Sequence, residues 1–445
     1  DAVIGNPPYV RIQAMKEWAP VEVEAYKRLY RSASKGNYDI YVVFVERGLQ
    51  LLNKSGHLGY ILPHKFFNAQ YGKPLRGLIA NGRHIRSIVH FGHQQIFANA
   101  TTYTCLLFLT LKGQDTFVFG SVADLDDWKS SGRSIHGELS SDGVTEDEWN
   151  FMVGEGAALY RRLRGLPVKL EDVTDRIFQG IKTSADKIYI VEEIDRQDGK
   201  VKVYSPEKDA EYWMESSLLH PLVKGGDSKR YHLSTTNRLI LFPYAGNPDG
   251  KNGLIPESLL KEIYPLTWQY LLENKKYLEN RENGKMKGAK WYGYVYPKAL
   301  DVMTLPKIFT PDLVSQVSFS IDETGQAFFT GGVAGGYGIL ITHGYSQNFI
   351  LGILNSKLVN WFLQQFSTKM RGGWFSCEAR FIKHIPIRTI NPADVARHDR
   401  MVTLVEQMLD LNKRLAAAKT THEKEVLAGM IDATDRQIDR LVYEL

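Results

Sequence analysis

The sequence predicts an α/β domain, then an irregular α+β domain, then a C-terminal helical hairpin. Three observations carry this. Apolar strand-like runs alternate with helical-period segments through residues 1–122, the pattern of a parallel sheet with crossover helices. From 151 to 395 the apolar runs are short, aromatic and separated by Gly and Pro turns. From 396 to 445 the helical period is continuous.

The first run, DAVIG (1–5), reads as a buried strand of the parallel type. Residues 11–36 are polar with scattered aromatics, a loop with a short helix. Residues 38–53 carry apolar residues at helical spacing and end at Asn53 and Gly56. HLGYILP (57–63), IRSIVHF (85–91) and TYTCLLFLTL (102–111) read as strands, with a helix over 73–82 and a further strand over Asp115–Val122. The polar stretch 123–150 reads as a linker. A helix near 155–165 leads to IFQGIKTSADKIYIV (177–191), read as a hairpin with Lys182 and Thr183 at its tip. RLILFPY (238–244), KWYGYVYP (290–297), KIFTPDL (307–313), VSFSID (317–322), AFFTGG (327–332) and YGILITH (337–343) read as short strands, and 256–283 as helical. FILGILNSKLVNWFLQQF (349–366) reads as one helix. In the tail, Thr420-Thr421 caps the second of two antiparallel helices.

A chain of 445 residues holds two or three domains. With 43% hydrophobic and 24% charged residues it has an ordinary soluble composition. Its net charge of +5 is compatible with a phosphate-rich partner. The two cysteines, Cys105 and Cys377, are too far apart in sequence to indicate a disulfide framework or a zinc site, and so low a count fits a reducing cytoplasm. No apolar run approaches a membrane span. Residue 1 is not Met, and the first strand needs neighbours on both sides, so the expectation is one piece of a longer polypeptide.

The first strand ends in Asn6-Pro7-Pro8-Tyr9. A residue before proline is pushed into extended conformation, and this acts on both Asn6 and Pro7. The result is a stiff turn holding out an amide side chain, a peptide carbonyl and an aromatic ring. An amide oxygen and a carbonyl together can accept both hydrogens of an exocyclic amine, and a tyrosine beside them can stack on the ring that bears it. Read locally, the same residues are also a proline-rich turn leaving a strand.

In this setting the tetrapeptide resembles the catalytic motif of gamma-class adenine DNA methyltransferases. YDIYVVFVERGLQLLNKSGHLGYILPHKFF (38–67), KPLRGLI and IVHFGHQQIFANATTYTCLLFL (88–109) resemble that class's later motifs. IFQGIKTSADKIYIV, LLHPLVKGGDSKRY, LILFPY, LGILNSKLVNWF, RGGWFS, HIPI and IDRLVYEL resemble the target-recognition half of TaqI-like enzymes and of type IIG restriction–modification proteins. The resemblance implies that 1–122 is the C-terminal part of a Rossmann-like methyltransferase sheet, 123–150 a linker, 151–395 a target-recognition domain and 396–445 a helical tail. It implies site-specific adenine-N6 methylation of double-stranded DNA, with S-adenosylmethionine as methyl donor and the target base flipped out of the duplex. Asn6 and Pro7 would accept from the amine, with Pro8 in the same turn, and Tyr9 and Phe97 would stack on the base. Pro63 and Phe66 would line the cofactor's adenine pocket. No cysteine nucleophile is needed, as it would be for cytosine C5.

The chain departs from the family pattern at one point. Before Asn6 there is no Gly-rich loop to hold S-adenosylmethionine, and GGVAGGYG (331–338) lies in the wrong place and reads as turns. The cofactor loop, and any nuclease, would belong to an N-terminal region of the same protein; no PD…ExK cluster occurs here. DNA contacts are sought in basic, aromatic loops: Lys182 and Thr183, Lys287 and Lys290 within KMKGAKWYGY (285–294), and Arg371 and Trp374 within RGGW. His57, His64, His84, His90 and His93 do not form a metal set. The rival reading is a non-catalytic DNA-recognition subunit of a modification or phage-defence complex.

Overall fold

A computed structural model describes residues 1–97, 102–246, 252–389 and 394–445, the side chain of Arg371 excepted. The chain divides into two compact units, Asp1–Leu163 and Arg164–Leu445.

The first unit is built on a six-stranded sheet. Its strands are β1 (Ala2–Gly5), β2 (His57–Pro63), β3 (Ile85–His90), β4 (Thr104–Thr110), β5 (Thr116–Ser121) and β6 (Ile135–Ser140), in the order β1-β2-β4-β3-β5-β6. β1 runs parallel to β2 and β3 parallel to β5. The expected all-parallel alternation fails at β4, which runs antiparallel to both β2 and β3. A parallel return would need a crossover, usually helical, and between β3 and β4 the described residues contain no helix. The helices are α1 (Ile12–Trp18), α2 (Pro20–Leu29), α3 (Tyr41–Leu51), α4 (Lys73–Asn81), α5 (Leu125–Ser131) and α6 (Ala157–Arg164), the last as expected near 155–165 and ending at the boundary of the unit. The core joins Leu58 and Leu62 of β2, Leu75 and Ile79 of α4, and Leu107 and Leu109 of β4. Gly48 lets α3 approach β2, since a Cβ there would overlap Leu58.

The stretch read as a linker, 123–150, is an integral part of this unit. Asp124 caps α5 by accepting the Asp127 N–H at 2.8 Å, β6 pairs with β5, and Trp149 is buried against Phe66 and Phe67. β6 escaped the sequence because an edge strand with mostly exposed residues has no apolar signature.

The second unit contains a six-stranded and a four-stranded sheet. The expected hairpin over 177–191 does not form. Thr174–Gln179 pairs with Gly336–Ile341, while Ile190–Gln197 pairs with Arg238–Leu241 and Lys200–Ser205. Between them Asp186–Tyr189 is a helical turn that buries Ile188 and Tyr189. KWYGYVYP forms no strand: Trp291, Tyr292 and Tyr294 are buried in turns. The run 349–366 is two helices, Gln347–Leu354 and Lys357–Phe366. They break where Asn355 turns its carboxamide onto Phe319, accepting its N–H at 2.9 Å and donating to its carbonyl at 2.8 Å, and Ser356 caps the second helix.

The tail forms the predicted helical hairpin, Val395–Ala417 and Thr421–Glu444, with Thr420 capping the second helix by accepting the Glu423 N–H at 3.2 Å. It packs within the second unit. Asp435 makes a two-pronged pair with Arg230 at 2.9 and 2.5 Å, and Asp439 accepts the Lys357 N–H at 2.8 Å.

Candidate functional site

β1, β2 and β3 point the same way, so Asn6, His64 and Phe91 leave the sheet on one edge. Antiparallel β4 starts on that edge, Pro63 facing Thr104. The carboxyl edge of such a sheet is where open α/β folds gather ligands. Pro7 is buried, Asn6 and Pro8 are exposed and Tyr9 is partly buried. Among the described residues the Asn6 carboxamide has no hydrogen-bond partner. The Tyr9 hydroxyl donates to the Ile61 carbonyl at 3.1 Å, and burial pushes its pKa up to about 12. Beyond the turn, the Val10 carbonyl accepts from Ile40 and Ile12 donates to Tyr38, both at 2.9 Å. The turn is therefore held at both ends, with one amide left facing outwards.

The other expected residues of this unit divide. Pro63 and Phe66 are both buried. Phe66 is 0% exposed, edge-on to Phe67 at 4.8 Å and to Trp149 at 5.7 Å. This departs from the expected cofactor contact, because the turn after β2 folds the ring into the core. Arg76 fixes that turn: its guanidinium donates to the carbonyls of Phe66 at 2.5 Å, Ala69 at 2.8 Å and Glu146 at 2.9 Å. Phe97 is partly buried, and its carbonyl accepts from Gln95 at 3.0 Å; the next residues of IFANA, Ala98 to Ala100, lie outside the described residues. His64 and His90, distant in sequence, stand with ring centroids 4.2 Å apart. Sequence reasoning missed this pair, since strand order alone brings it together.

In the second unit, loops read separately converge. Lys182 forms an isolated bridge with Tyr296, which places it beside the loop carrying Lys285, Lys287 and Lys290. All four lysines are exposed, and none has an ion-pair partner among the described residues. A cleft of 310 Å³ is lined by Lys182, Lys187, Tyr277 and Tyr296, and one of 590 Å³ by Lys285, Lys287, Lys290 and Tyr294. The convergence is made by Arg281, which is only 5% exposed. Its guanidinium donates to the carbonyls of Thr183 at 2.9 Å, Leu278 at 2.8 Å, Trp291 at 2.6 Å and Gly293 at 2.8 Å.

Thr183 itself is not presented to a duplex. It is 0% exposed, with its hydroxyl donating to Asp186 at 2.5 Å and accepting the Ala185 N–H at 2.9 Å. Trp374 is 46% exposed on a turn; the Arg371 side chain lies outside the described residues. Beside that turn Asp312 is buried, and burial together with the Glu378 charge raises its pKa against the pull of Arg380 and Lys182. Arg380 and Glu378 pair at 3.1 Å. Sequence reasoning missed these three, which carried no motif. GGVAGGYG forms a turn running into Gly336–Ile341, where a Cβ on Gly335 or Gly336 would overlap backbone carbonyls. No metal-binding group of three or more His, Cys, Asp or Glu residues occurs among the described residues, and no helix among them is long and apolar enough to cross a membrane.

Comparison with known proteins agrees with this division. Residues 1–97 match the family model of the Eco57I restriction-modification methylase, and residues 220–387 that of the TaqI-like C-terminal specificity domain. The chain is 28% identical over its whole length to the type II restriction enzyme and methyltransferase RM.Eco57I of Escherichia coli, and spans 46% of that protein. It is 25% identical over 86% of its length to the type II methyltransferase M.BstVI of Geobacillus stearothermophilus, spanning 66% of it. Among solved structures, the type IIL restriction-modification enzyme MmeI in complex with DNA shares the fold: TM-score 0.59 at 10% identity, covering 99% of this chain and 53% of that one. Over its two matched segments the chain is thus similar to the Eco57I restriction-modification methylase and to the TaqI-like C-terminal specificity domain, and the curated relatives it matches are type II restriction-modification methyltransferases, of the first of which it spans less than half.

Proposed function

We propose that this chain supplies the amine-binding half of an adenine-N6 DNA methyltransferase together with its sequence-recognition domain, within a restriction–modification enzyme. The observation that carries the reading is the exposed, unpartnered Asn6 carboxamide, held at the carboxyl edge of the sheet by buried Pro7 and by Tyr9 on Ile61. In this reading the Asn6 oxygen and the Pro7 carbonyl accept both hydrogens of the adenine amine, and Tyr9 and Phe97 hold the flipped ring between them. Removing hydrogen-bonding freedom from the amine localises its lone pair for attack on a methyl group. Bases without that amine leave both acceptors unpaired, which disfavours them.

S-adenosylmethionine is the methyl donor the reading calls for, and in this reading its binding loop is not among the described residues. Pro63 and Phe66 are buried, and the glycine-rich run is a tight turn of the second unit. The donor would be held by a further part of a longer polypeptide. Support comes from β1, an edge strand whose Ile4 is 85% exposed; such an edge fits further strands that continue the sheet. In this reading the second unit meets DNA through its loops: Lys287 and Lys290 on phosphates, with Lys182 and Arg371 at base edges and Trp374 beside Arg371.

The test is Asn6→Ala in the full-length protein, with methylated adenines mapped in exposed DNA. The expected result is loss of methyl transfer with DNA binding retained. Unchanged methylation by the variant would sink the proposal, and a wild-type protein that binds DNA without methylating it would point to the recognition-subunit reading.

A further inference from the structure

The imidazoles of His64 and His90 are both fastened to one residue, Gly92. His64 Nε2 lies 3.1 Å from the Gly92 carbonyl oxygen, so it must donate; His90 Nδ1 lies 3.1 Å from the Gly92 nitrogen, so it must accept. Each hydrogen bond sets one tautomer. Gly92 offers its N–H to one ring and its carbonyl to the other with φ at +58°, a left-handed conformation that favours glycine. The rings stand 4.2 Å apart, and His64 also stacks on Tyr103 at 6.4 Å while its backbone N–H donates to the Tyr103 carbonyl at 3.2 Å. Burial holds the His64 pKa below its usual range, in keeping with a neutral ring at His64.

His64 follows β2, His90 ends β3, and Tyr103 precedes β4. The pair therefore grips both stems of the connection from β3 to β4, the one that carries Phe97. The near stem has two more ties: Gln94 donates through its side chain to the Val122 carbonyl at 2.8 Å, and Val122 donates to the His90 carbonyl at 3.0 Å. We infer that His64 and His90, clamped on Gly92, are positioning residues that fix where Phe97 stands relative to the Asn6–Tyr9 turn. This rests on the proposed stacking role of Phe97.

The donor and acceptor assignment gives a test that bulk alone cannot pass. Glutamine places an N–H close to where His64 Nε2 stands, and asparagine places an oxygen close to where His90 Nδ1 stands. The full-length protein is assayed for kcat and for KM towards DNA, and a duplex with 2-aminopurine at the mapped target adenine reports the environment of the flipped base. His64→Leu and His90→Leu should lower kcat about 10- to 100-fold, the scale of a misplaced positioning group, leave KM for DNA unchanged and alter the 2-aminopurine signal in the same way as Phe97→Ala. His64→Gln and His90→Asn should restore kcat, and His64→Asn and His90→Gln should not. The inference is overturned if the four amide variants behave alike, or if the leucine variants keep full kcat while Phe97→Ala loses it. If Phe97→Ala itself leaves kcat and the base signal unchanged, the stacking role of Phe97 fails and the positioning role falls with it.

Discussion

Replacing Arg281 by methionine keeps the aliphatic stem and removes the guanidinium. In the native protein that group donates to the carbonyls of Thr183, Leu278, Trp291 and Gly293, and no carboxylate pairs with it among the described residues. After the change the Gly293 carbonyl keeps the Tyr189 hydroxyl at 3.3 Å. The carbonyls of Thr183, Leu278 and Trp291 lose this donor at residues that are 0%, 0% and 2% exposed, so water does not replace it. An orphaned buried acceptor costs about 1–3 kcal/mol, so the three cost about 3–9 kcal/mol. Arg281→Lys keeps a charge and some donors but not the planar fork, and should fall between. Urea unfolding followed by tryptophan fluorescence suits the site, because Trp291 and Trp268 lie 5.5 Å apart. Affinity for random duplex should fall as well, because the freed segments carry Lys182, Lys287 and Lys290. A shift of less than about 0.5 kcal/mol, the range of an ordinary surface substitution, would refute the reasoning.

The remaining expectations concern other parts of the chain. Lys287→Ala and Lys290→Ala should each lower the slope of log affinity against log salt by about 0.9, equally on cognate and random duplex; an unchanged slope would remove that lysine from the interface. Lys307 and Asp322, 0% and 5% exposed and 2.7 Å apart, form a buried pair. Lys307→Met or Asp322→Asn alone should destabilise by about 3–5 kcal/mol, with the double apolar replacement recovering much of it; additive losses in thermal unfolding would argue against coupling. Tyr9 holds its proton up to about pH 12 when folded but only to about 10 when unfolded. Its contribution is thus intact below pH 10 and lost as pH rises from 10 to about 12. Tyr9→Phe should flatten that part of the stability profile, and an unchanged slope would show that the hydroxyl is not protected.

What the sequence disclosed and what it hid divide by the range of the interactions responsible. Asn6 to Tyr9 was legible because prolines restrict their own neighbours, and Thr420 because a cap acts within three residues. The single helix assigned to 349–366 failed because the partner of Asn355 is Phe319, 36 residues away. Lys182 and Lys290 were each legible as basic loop residues. That they share one face depends on Arg281, which reaches Thr183 across 98 residues and lies in a stretch read simply as helical. The same holds at the other unit's edge, where Gly92 joins two histidines that only the strand order β2-β4-β3 brings together. Asn6, Lys182 and Lys290 stay legible, because they are exposed and stand in locally recognisable turns and basic loops. The residues that fix the surrounding turns and loops, Arg76, Arg281, His64 and His90, act through backbone carbonyls and amides, several of them far away in sequence. A backbone partner leaves no side-chain signature in the sequence. Substituting these four should therefore disturb recognition and catalysis while every motif remains intact.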